Sequence, residues 1–319
     1  MIMKNDQPLE FKHIFGPVPS RRLGISLGVD LVPHKTCSLN CVYCECGKTT
    51  NLTITKKEYV CIKSVRDELN AFLSKKPELD YITFSGSGEP TLNIGLGKIV
   101  SFLKTNFPEY RIALLTNGTL FCQNGFPNSM LDIDVLKISL DAASQKTFQL
   151  INRPHKDLII SNIIDSLVKI RKIYSNELLI EIFIVPGIND NDVELKKIKK
   201  ALDQIQPNNV QLNTLDRPGT ETWVCSMEEK KLSEIASYLY NAEVIKHFNS
   251  KFNLSRFSEN SYSKNLLNAL KRRPCTKEDI LRITGIEKKE LRKYLNLLIE
   301  KGRIKEKKMK RGVFYVLKA

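Results

Sequence analysis

Short apolar runs alternate with longer helical patterns along the first 240 residues, and this alternation restricts the fold more than any other feature of the sequence. Six runs have the length and composition of strands, and the segments between them have apolar residues at three- and four-residue spacing. The predicted strands cover residues 25–32, 81–85, 111–116, 135–140, 178–185 and 209–212, and predicted helices cover residues 64–73, 96–107, 157–173, 192–205 and 227–239. Strands separated by helical crossovers predict an α/β fold with a parallel sheet, either a partial barrel or an open sheet. In both architectures the functional residues lie in the loops that follow the strands.

Composition excludes several other classes of protein. The chain has 319 residues, of which 42% are apolar and 27% charged, and these values exclude a wholly disordered or fibrous chain. No segment approaches the ~18 consecutive apolar residues of a membrane span. Residues 1–10 also lack the apolar core of an export signal. The eight cysteines are too few for a disulfide scaffold, so we expect reduced thiols in a cytoplasmic protein that does not contact a membrane.

The net charge of +15 is concentrated near the C-terminus. Residues 261–319 contain 18 Lys and Arg against 6 Asp and Glu, whereas residues 1–260 have a net charge of only +3. Three helical patterns (residues 265–273, 276–280 and 287–301) precede two strand patterns (residues 303–309 and 313–317). This order predicts a small α+β winged helix-turn-helix domain. Its charge suits an anionic partner such as nucleic acid, or a solvated surface with no partner.

We expect this domain to fold independently from about residue 263 onward. Its third helix should bury Leu291, Tyr294, Leu295 and Leu298, which recur at three- and four-residue spacing. The basic side chains should be exposed, namely Arg282, Lys288, Lys289, Arg292 and Lys293 on the helices and Lys305, Lys307, Lys308, Lys310 and Arg311 in the hairpin.

Three cysteines stand close together in the loop after the first predicted strand. Cys37, Cys41 and Cys44 lie within eight residues, so their thiolates can bind one metal centre, and thiolates select zinc or iron–sulfur clusters. Structural zinc needs four ligands, but Cys46 is separated from Cys44 by a single residue, which is a poor spacing for joint chelation. Three cysteines without a fourth indicate a cluster with one open iron.

The pattern Cys-x3-Cys-x2-Cys, with Tyr43 before the last cysteine, resembles the signature of the radical S-adenosylmethionine (SAM) superfamily. The resemblance covers residues 15–220 and implies a partial (β/α)6 barrel. It implies that Cys37, Cys41 and Cys44 bind three irons of a [4Fe–4S] cluster, whose fourth iron binds the amino and carboxylate groups of SAM. The reduced cluster would cleave SAM to give a 5′-deoxyadenosyl radical, which removes a hydrogen atom from the substrate.

The loop after the second predicted strand extends this resemblance. It contains Gly86, Gly88, Glu89 and Pro90 and is similar to the Gly-Gly-Glu-Pro motif of the superfamily. Glycines let the backbone approach a ligand closely. The resemblance implies that this loop, including Glu89, binds the amino group of SAM.

Polar residues also follow the fourth and fifth predicted strands. Ser139 and Asp141 stand where the superfamily places groups near the ribose of SAM, although both residue types also cap helices. Asn189 stands in the loop that resembles the adenine-side loop of the superfamily. Asn189 and Asp190 are equally suited to cap the next helix.

Within the superfamily, the body of the chain resembles the group that contains the wyosine-type tRNA-modifying enzymes. Unlike wyosine synthases, it has no cysteine before Cys37 that could bind a second cluster. We therefore predict an N-terminal extension (residues 1–14), a radical SAM partial barrel (residues 15–240), a linker (residues 241–262) and a winged helix-turn-helix domain (residues 263–319).

The predicted function is a radical SAM enzyme that modifies tRNA or another nucleic acid and receives electrons from a flavodoxin or ferredoxin. Two alternatives remain open. One is an enzyme that acts on a peptide or partner enzyme, which the winged domain recognises. The other is a DNA-binding regulator that senses an iron–sulfur cluster, although the full βα body and the Gly-Glu-Pro loop favour an enzyme.

Overall fold

An eight-stranded sheet forms the body of the protein in the computed structural model, which describes residues 11–20, 23–240, 242–245 and 262–318. The strands in the described residues are β1 (Ile14–Pro19), β2 (Ile25–Asp30), β3 (Thr36–Cys37), β4 (Asn51–Leu52), β5 (Tyr81–Ser85), β6 (Arg111–Thr116), β7 (Val135–Ser139), β8 (Glu177–Phe183), β9 (Asn209–Asn213), β10 (Glu243–Val244), β11 (Ile304–Met309) and β12 (Gly312–Leu317). The helices are α1 (Ile62–Leu73), α2 (Leu96–Asn106), α3 (Phe121–Asn124), α4 (Gln145–Asn152), α5 (Ile160–Ile173), α6 (Asp192–Ile205), α7 (Glu229–Tyr238), α8 (Tyr262–Arg272), α9 (Lys277–Thr284) and α10 (Lys288–Glu300).

The large sheet has the order β1-β2-β5-β6-β7-β8-β9-β10. Strand β1 is antiparallel to β2, and every other neighbouring pair in this sheet is parallel. Helices connect the successive parallel strands, so the predicted α/β fold is confirmed. Because parallel strands end at the same edge, the loops after β2, β5, β7 and β8 meet at the carboxyl edge of the sheet.

Alternate residues of the strands face two different environments. Ile82, Phe84, Leu114 and Ile180 point toward the helices and belong to the main hydrophobic core. On the other face, Ala113, Val135 and Leu179 form a smaller apolar cluster with Leu23. This alternation is the two-residue period of a strand. Polar side chains share the second face, which is the concave interior of the body.

The elements of the body that differ from the sequence predictions include β1, β10 and α5. Strand β1 was not predicted, because Pro17, Pro19 and Gly16 interrupt its pattern; it pairs at the edge of the sheet, where proline is tolerated. The two-residue strand β10 is too short to leave a periodic signal. Residues 157–173 were predicted as one helix, but α5 begins at Ile160, and the separate helix α4 precedes it.

The C-terminal module, defined here as residues 262–318, contains three helices followed by an antiparallel hairpin of β11 and β12. Thr276 caps α9 in a reciprocal arrangement with Asp279, and Gly285 ends that helix with a φ of 66°. As predicted, Leu291, Leu295 and Leu298 are buried, while Tyr294 is partly buried. The predicted order of helices and strands is therefore confirmed.

The C-terminal module packs onto the carboxyl edge of the sheet. Arg217, in the loop after β9, donates to the carbonyl of Pro274 at 2.7 Å and to Asp279 at 2.8 Å. Arg311, in the hairpin turn, pairs with Asp279 and, at 2.6 Å, with Asp216 of the body. Met309 of the hairpin also contacts an apolar cluster of the body that includes Phe183.

The prediction that ten named basic side chains of the module are exposed was partly wrong. Arg282, Lys307 and Arg311 are partly buried, and Arg311 is used in the contact with Asp216. The other predicted residues are exposed, namely Lys288, Lys289, Arg292, Lys293, Lys305, Lys308 and Lys310.

Much of the predicted extension (residues 1–14) and linker (residues 241–262) lies outside the described residues. Within the described part of the chain, no helix combines the length and apolarity needed to cross a bilayer.

We expect the attachment of the module to weaken in acid. Burial of Asp279 opposes its ionisation, but Arg217, the backbone N–H of Thr276 and Arg311 together lower its pKa from 3.8 to about 2. A lowered pKa means that this carboxylate stabilises the fold fully above pH of about 4, and that the stabilisation is lost as the pH falls toward about 2.

Asp279→Asn should therefore lower the free energy of unfolding by about 2–4 kcal/mol near neutral pH and flatten its dependence on pH in acid. Chemical unfolding measured between pH 2 and pH 7 tests this. Asp165→Asn, on the exposed face of α5, is the control and should change neither quantity. An unchanged acid dependence in Asp279→Asn would contradict the prediction.

Candidate cofactor site

The loop that contains Cys37, Cys41 and Cys44 is held by main-chain hydrogen bonds to two other parts of the body. The N–H of Val42 donates to the carbonyl of Ile151, at the end of α4, at 2.9 Å. The N–H of Glu221 donates to the carbonyl of Val42 at 3.0 Å. The three cysteines are partly buried and free of disulfides. The loop thus presents three thiols in a fixed backbone at the carboxyl edge of the sheet.

Each of the three sulfur atoms accepts a hydrogen bond from a nitrogen of another residue. Asn117 Nδ2 lies 3.6 Å from Cys37 Sγ, and Asn152 Nδ2 lies 3.4 Å from Cys41 Sγ. Lys35 Nζ lies 3.0 Å from Cys44 Sγ. Donors of this kind favour the negative charge of thiolates and of thiolate-bound clusters.

The three thiols have different tendencies to ionise. Hydrogen bonding from Cys46, together with Lys35, lowers the pKa of Cys44 to about 6 although burial opposes it. Burial, and then the charge of Glu89, raises the pKa of Cys37 to about 12. Burial also raises the pKa of Cys41. Since a metal must displace the proton from a thiol, the lowered pKa of Cys44 favours metal binding there.

Among the described residues, no three histidine, cysteine or carboxylate side chains are grouped around a single point as they would be around one ion. Three thiolates that each bind a different iron of a cluster do not have to converge on a single point. The donor set, three thiols with N–H donors directed at sulfur, has the chemistry that iron–sulfur clusters use.

The loop at residues 86–90 lies directly against the cysteine loop. The N–H of Glu89 donates to the carbonyl of Thr36 at 3.0 Å, and the N–H of Lys35 donates to the carbonyl of Ser87 at 2.8 Å. A Cβ atom at Gly88 would lie 2.2 Å from the carbonyl oxygen of Thr36, so only glycine permits this approach. Pro90 is buried at the start of a short 3₁₀ turn.

The side chain of Glu89 is almost fully buried and binds other parts of the protein. It accepts hydrogen bonds from the N–H and hydroxyl of Thr91, from the hydroxyl of Thr116 and from the N–H of Asn117. Burial raises its pKa despite these donors. In the structure Glu89 therefore joins the ends of β5 and β6, and its predicted contact with the amino group of SAM stays a prediction.

Asp141 is the centre of a second buried group of polar side chains. Its carboxylate accepts hydrogen bonds from the hydroxyl of Tyr43 at 2.5 Å, from Asn152 Nδ2 at 2.6 Å and from the N–H of Phe183 at 2.8 Å. The Tyr43 ring stacks on Phe183 with 3.8 Å between the ring centroids. Burial raises the pKa of Asp141 to about 6. This group joins the cysteine loop to β8 and to the loop after β7.

Asn189 belongs to the same group, because its Nδ2 donates to the carbonyls of Asp141 and Phe183. Its Oδ1 accepts from the N–H of Val185 at 2.8 Å. Ser139 lies next to Glu181 in the register of β7 and β8, on the concave face.

The alternative roles as helix caps were wrong for these residues. Ser144 caps α4, and Asn191 caps α6. Asp141 and Asn189 instead hold the loops together, and Asp190 accepts from the N–H of Gly187. Ser139 lies inside β7 and not at a helix start.

The concave face also contains charged and polar residues that the sequence analysis did not identify. Lys137 Nζ lies 2.9 Å from Glu181 Oε2, and Gln211 Nε2 donates to Glu243 at 3.0 Å. Lys137, Gln211 and Glu243 line a cavity of about 280 Å³. The sequence did contain a signal for this pair, namely the charged residue Lys137 inside an otherwise apolar strand. An unpaired charge in that position would be costly, so its presence indicates a partner.

A sequence profile of the Radical SAM superfamily matches residues 31–197, which include both the cysteine loop and the residue 86–90 loop. The chain belongs to the radical SAM superfamily. Members of this superfamily use a [4Fe–4S] cluster and SAM, so these are its cofactors. A radical SAM enzyme also needs an external reductant, as predicted.

Several curated proteins are similar over most of the chain. A UPF0026 protein of Methanocaldococcus jannaschii is 35% identical over 278 residues, which are 85% of this chain and 81% of that protein. A UPF0026 protein of Helicobacter pylori is 35% identical over 224 residues, or 69% of this chain and 70% of that protein. A protein of Brachyspira hyodysenteriae named GTPase Obg is 32% identical over 95% of this chain. The chain spans only 45% of that protein, so its name assigns no activity to the shared part.

Solved structures share the fold of the radical SAM body. A radical SAM methyltransferase from Sphaerobacter thermophilus aligns with a TM-score of 0.50 and 17% identity, over 69% of this chain and 65% of the other. Streptococcus suis SuiB bound to S-adenosylmethionine also aligns with a TM-score of 0.50, at 12% identity, over 76% of this chain and 56% of the other. At these identities the comparison concerns the fold alone.

Asn152 lies beside the cysteine loop and was not among the residues predicted from the sequence. Its Nδ2 donates to Asp141 and Cys41, while its Oδ1 is buried and has no hydrogen-bond partner among the described residues. A buried acceptor without a partner is costly unless a ligand supplies a donor. SAM offers an ammonium group and ribose hydroxyls, so this atom fits the presence of SAM beside the cysteine loop. No sequence motif identifies Asn152. Only the structure, which places it at the end of α4, shows that it lies beside the cysteine loop.

Single replacements of Cys37, Cys41 or Cys44 by Ala should abolish cluster binding, whereas Cys46→Ala should not. Besides its contact with Cys44, the Cys46 thiol lies 2.9 Å from the carbonyl oxygen of Arg272 in the C-terminal module. Iron and labile sulfide, measured after anaerobic reconstitution, should reach about four of each per chain in the parent and in Cys46→Ala. Stoichiometric zinc without sulfide would contradict the assignment.

Asn152→Ala should keep the iron content but lower the reduction potential of the cluster. Loss of an N–H donor to Cys41 destabilises the more negative, reduced state. A redox titration followed by electron paramagnetic resonance measures the shift, and Asn117→Ala should act in the same direction through Cys37. Asn162→Ala, on the exposed face of α5, is the matched control. A potential equal to that of the parent in both site variants would disprove this role of the asparagines.

Proposed function

We propose that the protein is a radical SAM enzyme that modifies a nucleic acid, with Cys37, Cys41 and Cys44 as the cluster ligands. The observation that carries the proposal is the position of the basic C-terminal module, which is attached beside the cysteine loop at the carboxyl edge of the sheet. When bound, a reduced cluster would supply one electron to the sulfonium of SAM, whose C–S bond would break to give methionine and a 5′-deoxyadenosyl radical able to remove a hydrogen atom from the substrate. A flavodoxin or ferredoxin is the proposed electron donor, and the proposed location is the cytoplasm.

The residues of the chain bind and orient the cofactor. The backbone of residues 86–90, including Gly86 and Gly88, forms the proposed surface for the amino group of SAM, and Pro90 and Glu89 fix its shape. Tyr43, Ser139, Asp141 and Asn189 are the proposed residues of the SAM side. In the structure Tyr43, Asp141 and Asn189 form hydrogen bonds with one another, with Asn152 and with the backbone. Their proposed role is therefore to hold the loops around SAM in place.

Water must be kept from the reacting centre, because a radical in contact with solvent is lost to side reactions. Several apolar side chains around the cysteine loop serve this purpose. Val42, Ile151 and Val185 are almost fully buried there, and Met309 of the module packs against the same cluster. The module therefore contributes to the apolar surroundings of the site.

We propose that the C-terminal module is a winged helix that binds the nucleic acid through α10. The helix buries Leu291, Leu295 and Leu298 and leaves its basic residues in solvent. These are Lys288, Lys289, Arg292 and Lys293. In the helix-turn-helix motif the corresponding helix contacts the nucleic acid. The hairpin turn is engaged with the body through Arg311, so the helix and not the hairpin is the proposed contact surface.

Charge removal on α10 should weaken binding of nucleic acid. The combined variant Lys288→Gln, Lys289→Gln, Arg292→Gln and Lys293→Gln should lose affinity for tRNA or duplex DNA. Each phosphate contact removed should reduce the slope of log affinity against log salt by roughly 0.7–0.9. Fluorescence anisotropy over a salt series on the full chain measures both quantities. The matched control removes four exposed lysines from the outer helices of the body, namely Lys169, Lys172, Lys196 and Lys197.

Negligible binding of both tRNA and DNA by the parent at low salt would overturn the nucleic-acid proposal. It would leave a peptide or a partner enzyme as the substrate class. Equal losses in the α10 variant and the control would show that binding follows net charge and not the proposed surface.

A further inference from the structure

The carboxylate of Asp30 lies between the C-terminal module and the loop at residues 86–90. Asp30 is the last residue of β2, and its side chain is only 13% exposed. One oxygen, Oδ1, faces the loop, and the other, Oδ2, faces the module. A largely buried carboxylate needs hydrogen-bond donors on both oxygens to offset the loss of water.

On the loop side, Asp30 fills the space that a side chain at position 86 would need. A Cβ atom on Gly86 would lie 1.7 Å from Asp30 Oδ1, and Gly86 has a φ of +112°. The N–H of Ser87 donates to Asp30 Oδ1 at 3.3 Å. The path of the loop therefore depends on where this carboxylate is held.

On the module side, Arg272 holds the carboxylate. Its Nη2 and Nε lie 2.5 and 3.1 Å from Asp30 Oδ2. The guanidinium group also lies over the ring of Phe15, with 3.9 Å between the guanidinium carbon and the ring centroid. Two donors and a stacking surface fix the orientation of this group in a way that an ammonium group would not reproduce.

The backbone of Arg272 makes a second contact with the site. Its carbonyl oxygen accepts a hydrogen bond from the Cys46 thiol, two residues after Cys44. The end of α8 therefore contacts both the cysteine loop and, through Asp30, the loop at residues 86–90.

We propose that Arg272 is a positioning residue for SAM, which makes the C-terminal module a part of the SAM site. The proposal rests on the role of residues 86–90 in SAM binding given under the proposed function. Arg272 keeps Asp30 in the orientation that receives the Ser87 N–H, so the loop has its binding shape before SAM arrives. Loss of Arg272 leaves the buried carboxylate without its cation. The free-energy cost of ordering the loop then falls on the binding of SAM and lowers the affinity.

Linkage gives a consequence for the module itself. If the attached module increases the affinity for SAM, SAM must strengthen the attachment of the module by the same factor. A nucleic acid or another partner that loosens the module would lower the affinity for SAM in the same way. SAM binding and partner binding are thus coupled through one ion pair.

The test measures SAM affinity in Arg272→Gln and Arg272→Lys, using the reconstituted full chain under anaerobic conditions. Calorimetry should show a dissociation constant about tenfold higher in Arg272→Gln and an intermediate value in Arg272→Lys. Iron content should equal that of the parent in both variants. Lys271→Gln, one residue earlier and exposed, should bind SAM as the parent does.

A second control separates positioning of the loop from attachment of the module. Arg311→Gln removes contacts with Asp216 and Asp279 but leaves the pair of Arg272 and Asp30 intact. Arg217 and Arg272 still hold the module to the body in this variant, so it should lower the free energy of unfolding without changing the dissociation constant for SAM. Equal losses of SAM affinity in Arg272→Gln and Arg311→Gln would overturn the proposal, because attachment alone would then explain the effect.

Gly88→Ala distinguishes failure of this inference from failure of the proposed site. If Gly88→Ala weakens SAM binding and Arg272→Gln does not, the positioning role is wrong while the loop keeps its function. If neither variant changes SAM binding, residues 86–90 do not form the SAM surface, and both proposals fall. If both weaken SAM binding at constant iron content while Arg311→Gln does not, the positioning role of Arg272 is supported.

Discussion

The buried carboxylate of Asp141 is the interaction on which the arrangement of the site depends. It receives donors from the cysteine loop through Tyr43, from α4 through Asn152 and from β8 through Phe183. Burial raises its pKa to about 6, which shows that ionisation in this position is opposed by lost hydration. Three donors offset that cost, and they come from segments distant in sequence. The cysteine loop, which has little regular structure of its own, gains its position from this contact and from the end of α4.

The sequence contains enough information for the parallel strands and for the cysteine set, because both depend on local spacing. The strands at residues 81–85 and 111–116 were predicted with the observed bounds, since the run of apolar residues ends where each strand ends. The separation of Cys46 from the set agrees with its contact to Arg272. The hydrogen-bond partners of the polar side chains could not be predicted from the sequence. The carboxylate of Glu89 meets Thr116 and Asn117, 27 and 28 residues later, and no periodic signal records such a contact.

The largest difference concerns the C-terminal module. Its helices and hairpin follow from local patterns, but its attachment rests on ion pairs between residues far apart in sequence, such as Asp30 and Arg272, which are 242 residues apart. Net charge predicted a freely exposed basic surface, and Arg311 did not fit that expectation. The arginines and the lysines have different roles at this attachment. Arg217, Arg272 and Arg311 form the attachments, as suits a planar group that makes paired hydrogen bonds with carboxylates, whereas exposed lysines dominate the outer surface.

The order of the large sheet begins at β1 and ends at β10, and within the described strands these two edges do not pair with each other. The sheet is therefore a partial barrel, and the C-terminal module packs against one of its two unpaired edges through Val18 of β1. A closed barrel can be entered only at its ends, by a terminal group of a substrate whose remainder stays outside. Through a lateral gap, a single unit within a long polymer can reach the interior while the chain on either side of it continues past the protein. Under the proposed function, the missing strand pairing would let the enzyme act on a unit within a nucleic acid and not only at its ends.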